Sequence, residues 1–138
     1  MKIIIEDYVS FEIAKLLKEK GFNVPCFAYY SEYIDNWRTL KMWKKYPKTY
    51  DTVRNNGYVL VPTLQIAMKW LREVHKIYIY TNIRIILEQW AGYDIDIYKT
   101  NTNDCLLGKV VSLKGLKDNT SYEQACESAI KYCLENLI

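Results

Sequence analysis

Leu64, Ala67, Met68 and Leu71 recur at helical spacing, so the stretch from Pro62 to His75 predicts a helix with one stripe against a core. Ile66, Trp70 and Val74 form a second apolar row, which predicts burial on more than one side. Pro62 holds Val61 extended, and the Thr63 hydroxyl is suited to cap the helix N-terminus. At Ile77 and Ile79 the apolar period switches from that of a helix to that of a strand, with Tyr78 and Tyr80 between. The pattern therefore predicts a central helix that feeds a strand across a very short connection and acts as the hub of one core.

The flanking segments carry equally local signals. Ser10 caps a predicted first helix, with Glu12 in its opening turn and Lys15, Lys18 and Lys20 towards its end, as the helix dipole favours. Val9, Ile13, Leu16 and Leu17 make its buried stripe. Gly21 fits the position just past its end, and Phe22 folds back on the last turn. Cys26 to Tyr33 alternates as a strand does. Asn55-Asn56-Gly57 is a turn signal before the apolar run Tyr58 to Val61. Ile83, Ile85 and Leu87 alternate, as do Tyr93, Ile95 and Ile97, and Ala91-Gly92 can turn a hairpin between them; a helix over Ile83 to Trp90 is the competing reading. Leu106 to Leu113 predicts a short edge strand. Thr120-Ser121-Tyr122-Glu123 reads as a capping box opening a C-terminal helix that buries Tyr122, Ala125, Cys126, Ala129, Ile130, Cys133 and Leu137, with Glu127 and Lys131 paired on its wet face. Trp37 to Tyr46 marks one helical face only roughly. Together these elements predict an α+β fold, three helices packed on a small, mainly antiparallel sheet. Residues 1–138 are expected to form a single domain with 34–58 as a partly irregular insertion.

Composition narrows the class. The 138 residues are half hydrophobic and a quarter charged, with five Gly and three Pro, which is globular and not disordered. The N-terminal apolar run, Ile3-Ile4-Ile5, is too short for a signal peptide or a membrane span, and a cytoplasmic location with no membrane partner is expected. Cys26, Cys105, Cys126 and Cys133 contain no C-x-x-C pair. Cys126 and Cys133 lie roughly 10 Å apart along a helix, beyond the about 7 Å that a disulfide spans. All four read as buried free thiols.

The candidate chemistry is sparse. His75 is the sole histidine, so any triad or Cys-His pair with Cys26 or Cys105 depends on it, and its place at a helix end favours a cation. No phosphate-binding glycine motif occurs. Asp94 and Asp96, roughly 7 Å apart on one strand face, join Glu88 across the hairpin as a candidate Mg²⁺ or Ca²⁺ set; the plainer reading is a solvated sheet face. No cofactor, metal or catalytic residue is expected. The stretch from Trp37 to Tyr50 stands out. Arg38, Lys41, Lys44, Lys45 and Lys48 interleave there with Trp37, Trp43, Tyr46 and Tyr50, without an acidic residue. Cations and rings together suit phosphate and bases, or an acidic protein surface. A net charge of +3 is a mild footprint for nucleic acid.

Three stretches carry a family resemblance: residues 9–22, residues 62–73, and Tyr122-Glu123-Gln124-Ala125 with the helical tail. They resemble a family of small uncharacterised proteins from phages and prophages of gut bacteria of the Bacteroides kind. Trp70-Leu71-Arg72-Glu73 followed by His75 is the most specific piece, and residues 34–56 and 101–119 lie outside the resemblance. It implies a phage-encoded accessory protein in a bacterial cytosol and brings no activity with it. The expected function is thus a non-enzymatic binding module for a host or phage protein, with a homo-oligomer allowed. Trp37, Arg38, Lys41, Trp43, Lys44, Lys45 and Tyr46 are its candidate contact residues. The alternatives are a binder of a small anionic ligand, such as a nucleotide signal, and a nucleic-acid-binding protein, both through residues 37–50.

Overall fold

A computed structural model describes residues 4–31, 39–53, 57–100, 107–113 and 121–138, with 107–113 described by backbone alone. Among these residues the chain forms three helices and two small antiparallel sheets, a mixed α+β fold. It divides into two compact units, Met1–Ala67 and Met68–Ile138. No described helix is long and apolar enough to cross a membrane.

In the first unit α1 spans Phe11–Glu19. The Ser10 hydroxyl accepts from Ile13 N–H at the N-terminus. At the other end Phe22 N–H reaches back to Leu17 C=O (2.9 Å) and Gly21 N–H to Lys18 C=O (3.2 Å). Gly21 takes φ +89° there, a conformation that costs a residue without Cβ little. Val9, Ile13, Ala14, Leu17 and Phe22 are buried, whereas Leu16 is only half-buried. The sheet has the order β2 (Lys41–Met42), β1 (Ala28–Ser31), β3 (Tyr58–Val61), all antiparallel.

The outer edge of β3 is not left open. Pro62 C=O accepts from Val9 N–H (3.1 Å), Leu60 N–H donates to the Tyr50 hydroxyl (2.9 Å), and Lys18 Nζ donates to Tyr58 C=O (2.9 Å). The Val9 backbone and two side chains thus complete the hydrogen bonding that an additional strand would supply.

Helix α2 (Leu64–His75) begins in the first unit and continues into the second. Thr63 caps it as the sequence implies, its hydroxyl accepting from Ile66 N–H (3.2 Å). Leu64, Ala67, Met68, Trp70 and Leu71 are buried, but Ile66 and Val74 are exposed. The second apolar row therefore contributes Trp70 alone. Lys76, at φ 58°, turns the chain into β4.

In the second unit the sheet runs β4 (Ile77–Ile86), β5 (Gln89–Thr100), β6 (Leu107–Leu113) in chain order. Residues 83–90 are therefore strand and turn, not helix. The turn lies at Leu87-Glu88, not at Ala91-Gly92. Burial decides this. A turn at Ala91-Gly92 would set Trp90 opposite Tyr93, and hence Ile95 and Ile97 opposite Glu88 and Ile86. The observed register sets them opposite Thr81 and Ile79, where both are fully buried. Gly92 instead spends its positive φ (105°) at the β-bulge where the register shifts. Helix α3 (Tyr122–Asn136) packs on the β4–β5 face through Ala125, Cys126, Ala129, Ile130, Cys133 and Leu134. Its cap sits one residue later than the sequence reading, Ser121 accepting from Gln124 N–H (3.1 Å). Tyr122 is 40% exposed and Leu137 half-buried, so the ends of its predicted stripe lie at the surface. Lys131 lies 3.9 Å from Glu135.

Candidate functional site

The basic, ring-rich segment is a loop fastened at both ends. At its start Lys41–Met42 pairs with β1, and Trp43 N–H continues the ladder to Phe27 C=O (2.9 Å). At its end Cys26 and Lys48 exchange two backbone hydrogen bonds (3.0 and 2.9 Å). Only residues 43–47 lie between. The helix that Trp37 to Tyr46 loosely suggests is absent over residues 39–46, because β1 takes this segment as its neighbour.

Sheet alternation sends Lys41, Tyr29 and Tyr58 towards one side, and Trp43 follows. Its ring stacks on Tyr29 at 4.0 Å and 18°, leans on Tyr58 at 6.0 Å, and lies under Lys48 Nζ at 5.3 Å. Trp43 is half-buried and already engaged, so its ring is the floor of the loop and not its contact surface. Above it Lys44, Lys45 and Tyr46 are exposed, Tyr46 to 74%. Met42 is exposed at 49% and Lys41 half-buried. Among the described residues no carboxylate pairs with Lys41, Lys44 or Lys45. Trp37 and Arg38 lie outside the described residues.

Tyr50, one of the rings interleaved with the lysines, is half-buried and turns its hydroxyl to the backbone of β3. Burial pushes its phenol up to about 12, with the Leu60 N–H bond opposing and the neighbouring Cys26 adding to the rise. Lys18 Nζ lies 5.1 Å from its ring centre. The rings that matter to the loop, Tyr29 and Tyr58, carry only a strand signal in the sequence. Neither strand alternates cleanly, since Tyr30 beside Tyr29 is also half-buried and Val59, Leu60 and Val61 after Tyr58 are all buried, and nothing local said that Trp43 would stack across them.

The remaining candidates separate in space. His75 closes α2 with its ring edge-on to Trp70 at 4.6 Å, and its Nε2 is buried without a hydrogen-bond partner. Burial, and secondarily Lys99, lower its pKa, which disfavours His75 as the cation that the dipole argument places at this helix end, while Lys76 Nζ donates to Glu73 C=O there (3.0 Å). Cys26, Cys126 and Cys133 are buried free thiols, as expected. Burial pushes Cys26 and Cys133 up to about 12 and raises Cys126, which makes each a poor nucleophile. Cys105 lies outside the described residues. Asp94 is opposite Asn82, whereas Glu88 occupies the turn. Six residues of strand, roughly 20 Å, separate Glu88 from that level, and among the described residues no group of three such side chains is placed to hold a metal.

On the sheet face away from α3, Tyr80, Asn82, Asp96 and Tyr98 line a shallow open pocket of about 350 Å³. Tyr80 and Tyr98 meet edge-to-face at 5.5 Å, and Asn82 Nδ2 donates to Asp96 at 3.3 Å. Carrying one acid and no described cation in its lining, it does not suit a phosphate. No protein-family model, curated protein or solved structure matches the chain.

Proposed function

We propose that this protein is a non-enzymatic binding module that engages an acidic surface of a host or phage protein through the loop at residues 43–47. The observation that carries the reading is the double anchorage of that loop, with Lys44 and Lys45 paired to no carboxylate among the described residues and a 74% exposed Tyr46 at its crest. A loop held in place before binding loses little conformational entropy on association. Tyrosine beside lysine supplies apolar contact and charge together. The phage and prophage resemblance supplies the setting, and the lone histidine and the buried, high-pKa thiols support a non-catalytic role. Base stacking gains less support, because the one described tryptophan of the segment is committed to Tyr29 and Lys48.

The test is affinity capture from host lysate with the wild type and with the Lys44→Glu/Lys45→Glu variant, alongside fluorescence anisotropy with a labelled single-stranded oligonucleotide. The expected result is a specific protein retained by the wild type, lost with the variant, and released at about 0.5 M salt, where charges are screened within a few ångströms. Capture that survives charge reversal overturns the reading. Oligonucleotide binding that weakens steeply with salt replaces it with the nucleic-acid reading.

A further inference from the structure

The distal half of the β4–β5 hairpin carries a large exposed apolar face that the proposed loop does not use. Beyond Thr81 the α3-side face continues through Ile83, paired with Tyr93, and Ile85, paired with Trp90. Helix α3 covers the base of this face, with Thr81 Oγ1 3.6 Å from Cys126 Sγ, and starts only at Tyr122. A row of rings marks its limit: Tyr122 meets Tyr93 at 5.9 Å, and Tyr93 meets Trp90 at 5.8 Å. At and past that row Ile83, Ile85 and Trp90 are exposed to 64%, 65% and 55%, and Leu87 in the turn to 91%. At about 200 Å² for a large apolar side chain, these four present roughly 550 Å².

We propose that this face is a self-association surface, and that two copies of the chain pair their hairpin arms face to face about a two-fold axis through the Ile85–Trp90 pair. Three features select a second copy as occupant. The spacing is self-complementary: Ile83 lies two residues from Ile85 along β4, about 7 Å, and Leu87 lies two residues to the other side, at the turn. An axis at Ile85 therefore seats the Leu87 tip of one copy over the Ile83–Tyr93 pair of the other, and the reverse, as an isologous contact requires. The apolar area supplies about two-thirds of the roughly 800 Å² per partner of a stable interface, leaving the rest for a polar rim. Finally, the arm from Ile83 to Trp90 carries one Arg (Arg84) and one Glu (Glu88), so like arms do not repel. Two twisted hairpins stacked this way bury both apolar faces at the usual sheet-to-sheet distance of about 10 Å.

Analytical ultracentrifugation of the full chain over a concentration series tests this. The wild type is expected to pass from monomer to dimer in the micromolar range. Ile85→Asp and Leu87→Asp are each expected to raise the dissociation constant about tenfold or more, since each removes an apolar contact twice per dimer. Tyr80→Asp, on the opposite face, is expected to leave it unchanged. Leu87→Asn guards against misfolding, because asparagine suits the φ of 50° at this position. It should weaken the dimer while the dilute protein keeps its circular dichroism spectrum. A wild type that stays monomeric at several hundred micromolar overturns the proposal, as does a dimer that Ile85→Asp and Leu87→Asp leave intact or that Tyr80→Asp disrupts.

Discussion

Replacing Tyr50 with Phe isolates one atom of the fold. The ring stays, with Lys18 still able to lie over it, and only the hydroxyl is lost. That hydroxyl accepts the Leu60 N–H at 2.9 Å, and Leu60 is fully buried in β3. No water reaches the amide once its acceptor is gone, so the cost is that of a buried, unpaired donor, about 1–3 kcal/mol. That is a substantial share of the about 5–15 kcal/mol by which native proteins are stable. Urea unfolding followed by circular dichroism should show the midpoint falling with an unchanged slope, and hydrogen exchange should show faster exchange at Leu60. The wild type carries an alkaline signature as well. In the fold the phenol holds its proton up to about 12 against 10 for an unperturbed tyrosine. The folded state therefore binds that proton more tightly, and the contribution is complete below pH 10 and lost as pH rises through 12. Tyr50→Phe removes this part of the alkaline decline. A loss below about 0.5 kcal/mol with Leu60 still protected would refute the assignment of Tyr50 as the edge cap of β3.

The hairpin turn and the helix-end histidine give two further expectations. Glu88 holds φ 62° without being glycine; relieving about 1–2 kcal/mol of left-handed strain against about 0.5–1 kcal/mol of added chain entropy, Glu88→Gly should stabilise the dilute protein by about 0.5–1 kcal/mol. Urea titration measures it, and a destabilised variant would show that the turn has another geometry. His75 has a pKa lowered from 6.5 by burial first and Lys99 second. The unfolded chain takes up the proton first as pH falls, so this stability is complete above pH 6.5 and declines below it. His75→Gln should flatten the stability profile between about pH 7 and pH 5, and an unchanged slope would mean that the ring is not enclosed.

Local signals legible in the sequence settled local structure. Ser10, Thr63 and Gly21 act where their chemistry places them, because a cap or a left-handed end concerns atoms within one turn of its residue. The helical stripes of α1 and α2 and the strand period at Ile77 and Ile79 likewise emerge, as does the α+β class. In the candidate site the interleaving of Lys44, Lys45 and Tyr46 with other cations and rings was readable, and their exposure and the two-ended anchorage that presents them were not.

What the tertiary structure decided involves partners distant in sequence. Residues 39–46 lack strong helical periodicity, and β1 recruits Lys41–Met42 as a strand. Trp43 becomes a floor because Tyr29 lies beneath it, and Tyr50 turns inward because Leu60, ten residues away, needs an acceptor. The hairpin turn falls on Leu87-Glu88, against the preference of both residues, because burying Ile95 and Ile97 outweighs the strain of two left-handed residues. Sequence patterns report what a residue prefers among its neighbours, and register, edge caps and ring stacks depend on which distant segment the core brings alongside.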